Sequence, residues 1–313
     1  MLTPGTAAIV YHSGAGRGRA TELVKLTGRR LMAAGWHVIE AVKTRYAGHA
    51  RDELAPALAS RADLIIVIAG DGTLREVCAG LCRVVSRIPI GFVPTGNANV
   101  VAREQRIPLQ PERAIDLLAT GNVRQLDVGT LRTHPDAVDA VFFLAMLEIG
   151  FGARVVQLAH RLRSGRLNAI YRHWGDAVYA AAAVGALSSS TEKRFRIYQD
   201  KSAEPRQAMA AIIANTRCYA KGWSMAPDAR MDDGRLDLVT RRRSGPGIIL
   251  RAFHAATRAR RPPAAFSHYT QGQRFIFESE VPMTVQMDGD PLPALKWMEV
   301  VVAPGRLRLI TPH

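Results

Sequence analysis

Residues 63–77 read DLIIVIAGDGTLREV, and the fold turns on them. Asp63 to Ala69 is almost continuously apolar and rich in β-branched residues, the pattern of a strand buried on both faces. Gly70-Asp71-Gly72 then makes a turn, and a helix is expected from about Thr73 or Leu74 to Leu81. Glycine permits the tight turn and lets an anion approach the backbone. The amides at the helix start would face that anion, helped by the helix dipole. Asp71 is placed to orient a ribose hydroxyl or a metal-bound water, and Glu76 to hold the loop. The same stretch also suits an ordinary capped strand-turn-helix connection.

Working outward, Ala7 to Tyr11 reads as a strand feeding a glycine-rich turn that contains Ser13, Gly14, Ala15 and Gly16. A helix is expected over about Thr21–Ala34, a strand over Trp36–Val42 and a helix over Thr44–Ala59. Pro89 to Val93 reads as another strand, followed by PTGNANVVARE (Pro94 to Glu104) with Gly96, Asn97 and Asn99, then by a helix over Pro111–Thr120. Strands alternating with helices argue for a three-layer α/β domain with a mostly parallel sheet. Its glycine loops would emerge side by side at the carboxyl edge, where such sheets bind ligands. Neither a Walker A pattern nor the Rossmann spacing is present.

The pattern changes after Leu126-Asp127-Val128-Gly129. Ala140–Ile149, Phe195–Tyr198, Met209–Asn215, Leu236–Thr240, Arg274–Glu278, Met283–Met287 and Glu299–Val302 read as strands without helices between successive members. The expectation is an α/β domain over 1–128, its glycine loops suited to a nucleotide, and a β-rich, antiparallel domain over 129–313, to which the resemblance given below assigns the metal and the lipid substrate. Two helical regions, Arg154–Leu187 and Gly247–Arg261, interrupt the second.

Lys and Arg outnumber Asp and Glu 42 to 27 in the 313 residues, a formal net charge of +15. Such an excess suits anionic partners. Nucleic acid is disfavoured, because aromatics are sparse and do not interleave with the arginines as a stacking surface requires. No apolar run approaches the roughly 18 residues of a membrane span. The N-terminal residues show no basic stretch followed by an apolar core, so no secretory signal is expected. Cys78, Cys82 and Cys218 suit a reducing cytoplasm. Arg154–Leu187 places apolar residues (Val155, Leu158, Leu162, Leu167, Ile170, Trp174, Val178) among Arg161, Arg163, Arg166, Arg172 and His173. That segment suits either an anionic bilayer or ordinary packing on the β domain.

AGDGTLREVCAGL, PTGNANVVARE, LDVG, APDARMDDGRLDL and MDGDP, in this order and spacing, resemble the diacylglycerol kinase catalytic family, including bacterial soluble lipid kinases and sphingosine-type kinases. The resemblance runs from Ile9 to Ile310. The first motif is shared with NAD kinases, and Ala226 to Leu238 is what favours lipid kinases. The resemblance implies ATP at Gly70 to Thr73, with Gly14 to Gly16, Thr44 and the Gly96-Asn97 loop alongside. It implies Mg2+ held by Asp233 and the carbonyls of Arg230 and Arg235, with Asp127 reaching it through water. It makes Asp290 the candidate base, where Glu is usual in similar enzymes, and Asp288 its runner-up. In isolation Asp288-Gly289-Asp290 reads as a hairpin turn.

These features lead to an ATP-dependent lipid kinase, cytoplasmic and peripheral at the anionic inner membrane face. An NAD kinase-like metabolite kinase and a non-catalytic nucleotide- or lipid-binding regulator are the competing readings. The sequence leaves the lipid and the oligomeric state open.

Overall fold

The computed structural model describes residues 2–164, 181–186, 193–219, 223–243 and 245–312. The N-terminal unit alternates β1 (Thr6–Tyr11), α1 (Ala20–Ala33), β2 (His37–Lys43), α2 (Ala55–Leu58), β3 (Leu64–Ala69), α3 (Asp71–Arg83) and β4 (Ile90–Pro94), followed by α4 (Val100–Glu104) and α5 (Pro111–Thr120). These strands lie parallel in the order β2-β1-β3-β4. Every residue of β3 is buried, as its apolar run demands. The helix expected over Thr44–Ala59 starts only at Ala50, with one wide π turn (Ala50–Leu54) before α2. Glu76 explains the late start: its carboxylate accepts the Gly48 and Ala50 N–H groups at 2.8 and 3.3 Å and holds the preceding turn.

The expected boundary after residue 128 falls inside a continuous strand, β5 (Asn122–Arg132). The C-terminal unit adds β6 (Val141–Phe143), β7 (Met146–Ile149), α6 (Phe151–Ser164), β8 (Phe195–Gln199), β9 (Arg206–Ala208), β10 (Ala210–Ala214), β11 (Cys218–Tyr219), β12 (Trp223–Ser224) and β13 (Leu236–Arg241). It ends with α7 (Pro246–Thr257), β14 (Ser267–Gly272), β15 (Arg274–Met283), β16 (Val285–Met287), β17 (Asp290–Pro291) and β18 (Leu295–Thr311). One antiparallel sheet runs β14-β13-β10-β7-β16-β17. It packs on β8, β15 and the first half of β18 around a core that includes Phe143, Phe195, Phe275 and Phe277. The second half of β18 returns to the first unit, where Leu309 pairs in parallel with Ile90. Leu307, Leu309 and Ile310 pack in the core of the first unit. The two units therefore share one continuous sheet through β5 and β18.

The strand expected over Ala140–Ile149 is two strands broken at Leu144-Ala145. The break turns those amides toward Asp288. Of the expected helical region Arg154–Leu187, α6 covers the beginning. Residues 165–180 and 187, and with them Arg166, Leu167, Ile170, Arg172, His173, Trp174 and Val178, lie outside the described residues.

Candidate active site

The parallel sheet ends at an edge built from loops. After β3, Gly70 adopts an extended conformation and α3 begins at Asp71 with no side-chain cap on its first amides. After β4, the loop Thr95–Asn99 runs alongside. A Cβ on Gly96 would stand 2.7 Å from Gly70 Cα, so the two backbones meet where only glycine fits. Asn99, in a left-handed conformation (φ 48°), staples its own loop: Gly96 N–H donates to its Oδ1 at 3.0 Å and its Nδ2 donates to Gly96 O at 2.8 Å. Asn97 is exposed and Gly72 faces open space.

Asp71 is turned inward. Its carboxylate accepts the N–H groups of Val100 and Val101 at 3.0 and 3.2 Å, so it caps α4 and binds the two loops together. Burial pushes this carboxyl above the usual range, against the pull of those amides. Glu76 braces the turn below Thr44. The first turn lies at the same edge: His12 Nδ1 accepts the Gly14 N–H at 3.0 Å, Ser13 is exposed, Ala15 is buried, and Gly16 has φ 60°.

The second unit supplies acids to this edge. Asp288 (φ 49°) is a half-buried residue whose carboxylate is turned inward, and its two oxygens accept the amides of Leu144, Ala145 and Met146 at 2.8–2.9 Å. Burial raises its carboxyl above the usual range, and the guanidinium of Arg75 opposes that shift. With its lone pairs so engaged, Asp288 orders the Leu144–Met146 chain. Asp290 is half-exposed and projects toward α3, where Arg75 Nη2 lies 2.5 Å from its Oδ2. Arg75 Nη1 also donates to Met287 O at 3.2 Å. Arg75 was not singled out in the sequence, though it stands one helical turn beyond Asp71 on the same face of α3. Glu104 at the end of α4 makes a second bridge, accepting the Arg217 and Cys218 amides at 2.9 and 3.1 Å and the Arg217 Nε at 2.9 Å.

Two buried hydroxyls at this edge, Thr44 Oγ1 after β2 and Thr95 Oγ1 after β4, have no hydrogen-bond partner. Buried polar groups are rarely left so. Orphaned hydroxyls beside uncapped amides and an open glycine fit the oxygens of a polyphosphate, so the residues present suit ATP. Thr95, like Arg75, carried no signal in sequence beyond its place next to Gly96.

The proposed cation residues lie apart from this edge. Asp127 accepts the Gly234 and Gly305 amides at 2.7 and 2.8 Å. Asp233 accepts the Arg235 N–H at 3.0 Å, and burial together with the nearby Asp127 and Asp232 pushes its carboxyl up. Among the described residues no three His, Cys, Asp or Glu side chains converge on one point. One carboxylate with backbone carbonyls and waters is a donor set of the kind a hard cation takes, and a positive charge there would offset the neighbouring Asp127 and Asp232.

Residues 6–131 match the model of the diacylglycerol kinase catalytic domain. Residues 146–311 match the model of the YegS C-terminal NAD kinase beta sandwich-like domain. The chain belongs to the diacylglycerol kinase family. A diacylglycerol kinase of Mycobacterium tuberculosis is 29% identical over 308 residues, covering 95% of this chain and 92% of that protein. A Pseudomonas aeruginosa protein named "Probable lipid kinase YegS-like" is 29% identical over 278 residues, covering 85% and 82%. A crystal structure of a diacylglycerol kinase from Bacillus anthracis superposes with a TM-score of 0.71 at 18% identity, covering 98% of this chain and 96% of that one, a likeness of fold. As a member of the family the chain is a phosphotransferase with an alcohol group as acceptor. Among the described residues no helix is long and apolar enough to cross a membrane.

Proposed function

We propose that this diacylglycerol kinase family member transfers the γ-phosphoryl group of ATP to a hydroxyl of diacylglycerol or a related lipid, working against the anionic inner face of the membrane. One observation carries the proposal: Asp290 of one unit is held by Arg75, one helical turn beyond Asp71 on α3 of the other.

In this mechanism the first amides of α3, Gly72, the Gly96 loop and the hydroxyls of Thr44 and Thr95 hold the polyphosphate oxygens. Gly14 to Gly16 flank them. Fixed amide donors of this kind stabilise transferring phosphoryl charge without reorganising. Asp290, half-exposed at the cleft mouth, takes the proton of the lipid hydroxyl as that oxygen attacks phosphorus. Asp71 orders one wall and Asp288 the other, each through the amides it binds. Mg2+, when bound, supplies charge neutralisation. At Asp233, Arg230, Arg235 and Asp127 it would stiffen the 226–238 loop.

The test is a lipid extract incubated with γ-labelled ATP and magnesium. Wild-type protein should yield a labelled lipid, identified by mass. Asp290→Asn should lose activity by roughly 10²–10⁴-fold. Label appearing only in water-soluble products would contradict the lipid assignment, and equal activity in the variant would remove Asp290 from its role.

A further inference from the structure

α7 carries its large apolar side chains outward. Leu250 is 68% exposed and Phe253 38%, while the inward positions include the small, buried Ala255 and Ala256. Leu250 and Phe253 stand three residues apart and form one stripe along the helix. Trp223 of β12, itself 38% exposed, meets Phe253 edge-on with ring centroids 4.5 Å apart, which extends the apolar surface from the helix onto the neighbouring hairpin. Scattered exposed leucines need no explanation, but a contiguous patch with an aromatic pair does.

Arginines stand before, on and after α7 along the chain. Arg242 and Arg243 precede α7, Arg251 lies on it, and Arg258 and Arg260 follow; all five are exposed. Among the described residues the Arg258 guanidinium meets His254 of α7 and no acid. Among the described residues Arg242, Arg243, Arg251 and Arg260 pair with no acid, whereas Arg261 is bound to Asp228 at 2.6 Å. A second copy of the chain is a poor occupant, because a two-fold contact through α7 would set these arginines against one another. An apolar stripe with Trp and Phe, flanked by unpaired arginines, has the chemistry of a segment lying in the headgroup boundary of an anionic bilayer.

We propose that Trp223, Leu250 and Phe253, with Arg242, Arg243, Arg251, Arg258 and Arg260, form the face that docks this protein on an anionic lipid surface. The placement is useful for the site. The β11–β12 hairpin that carries Trp223 begins at Cys218, whose amide is held by Glu104 of α4, and α4 follows directly on the Gly96–Asn99 loop. Docking through this face sets the bilayer beside the wall of the cleft, so a lipid can pass from one to the other. The choice of a bilayer as occupant rests on the lipid-kinase reading, while the binding experiment does not need turnover.

The experiment is co-sedimentation of the full chain with vesicles of phosphatidylcholine alone or with about one-third phosphatidylglycerol. Wild type should sediment with the anionic vesicles, less so as salt rises, and hardly with the neutral ones. The Leu250→Ser/Phe253→Ser pair should lower partitioning about tenfold or more. Arg251→Glu and Arg258→Glu should each lower it at least about fivefold. Trp223→Phe should remove part of the vesicle-induced blue shift of tryptophan emission. Leu250, Arg251 and Arg258 are exposed, so Leu250→Ser and the two arginine variants should melt as wild type does, while loss of the Phe253–Trp223 contact should lower melting only modestly; kcat of every variant on a dispersed short-chain diacylglycerol should equal that of wild type. Vesicle binding by the variants equal to wild type overturns the proposal. So does a wild-type dimer that the apolar variants convert to monomer, or a preference for nucleic acid over the vesicles. If wild type phosphorylates dispersed lipid yet binds no vesicle, docking fails and the kinase reading stands. If it binds vesicles through this face and transfers no phosphate, the reverse holds.

Discussion

Arg75 on α3 reaches from the nucleotide unit into the β-rich unit and closes a 2.5 Å ion pair with Asp290, while its other terminal nitrogen is held by the carbonyl of Met287. Arg75 is only 16% exposed, against 55% for Asp290, so the guanidinium is the enclosed partner and the carboxylate the solvent-facing one. Arg75 therefore positions Asp290. Arg75→Ala should lower kcat about ten- to hundredfold with a smaller change in the KM for ATP. Arg75→Lys should recover only part of the loss, because an ammonium can pair with Asp290 but lacks the planar fork that also reaches Met287. Steady-state kinetics of the two variants checks the split.

Gly72 separates phosphate binding from folding. A Cβ there meets nothing within 4 Å, and Gly72 lies inside the first turn of α3. Gly72→Ala should leave stability unchanged or raise it by up to about 1 kcal/mol. If the polyphosphate lies against this residue, the same methyl should weaken ATP binding about tenfold or more. Calorimetry beside thermal melting distinguishes the two effects.

The orphaned hydroxyls of Thr44 and Thr95 make the complementary case. Replacing a buried, unpartnered hydroxyl with a methyl is neutral or stabilising, by about 1 kcal/mol. A hydrogen bond to a charged phosphate oxygen is worth about 1.5–3 kcal/mol. Thr44→Val and Thr95→Val should thus keep or raise the melting temperature and cost roughly tenfold in ATP affinity each.

Glu148 gives a pH signature of the fold. It is buried, with Gln286 Nε2 and Tyr219 Oη each 3.3 Å from its Oε2, and burial pushes its carboxyl above the ordinary value of 4.5. The native state therefore keeps a proton that the unfolded chain releases. Stability should fall as pH rises from 4.5 through the raised range, and this loss should be complete above it. Glu148→Gln should flatten that decline. Denaturant unfolding of both proteins across this range measures the difference, and parallel curves would exclude Glu148 as the source.

The α/β unit was readable because its signals are local. The apolar run of β3 and the glycines at its end depend on neighbours within a few residues. The path of β18 was not readable: nothing near Leu307 or Ile310 marks that they join a core built from residues such as Ile90 and Leu118. The site divides the same way. Gly70 and Gly96 declare themselves by type, whereas the inward turn of Asp71 onto the amides of Val100 and Val101 depends on two loops meeting in space. Arg75 stayed hidden because an arginine on a helix usually faces solvent, and its partner lies 215 residues away.

A crystal structure of Asp290→Asn with ATP and magnesium bears most directly on the central claim. The account predicts the triphosphate on the amides that open α3, within hydrogen-bonding distance of Thr44 and Thr95, with the γ-phosphate turned toward residue 290. Nucleotide bound elsewhere, or a γ-phosphate directed away from residue 290 with α3 left bare, would contradict it.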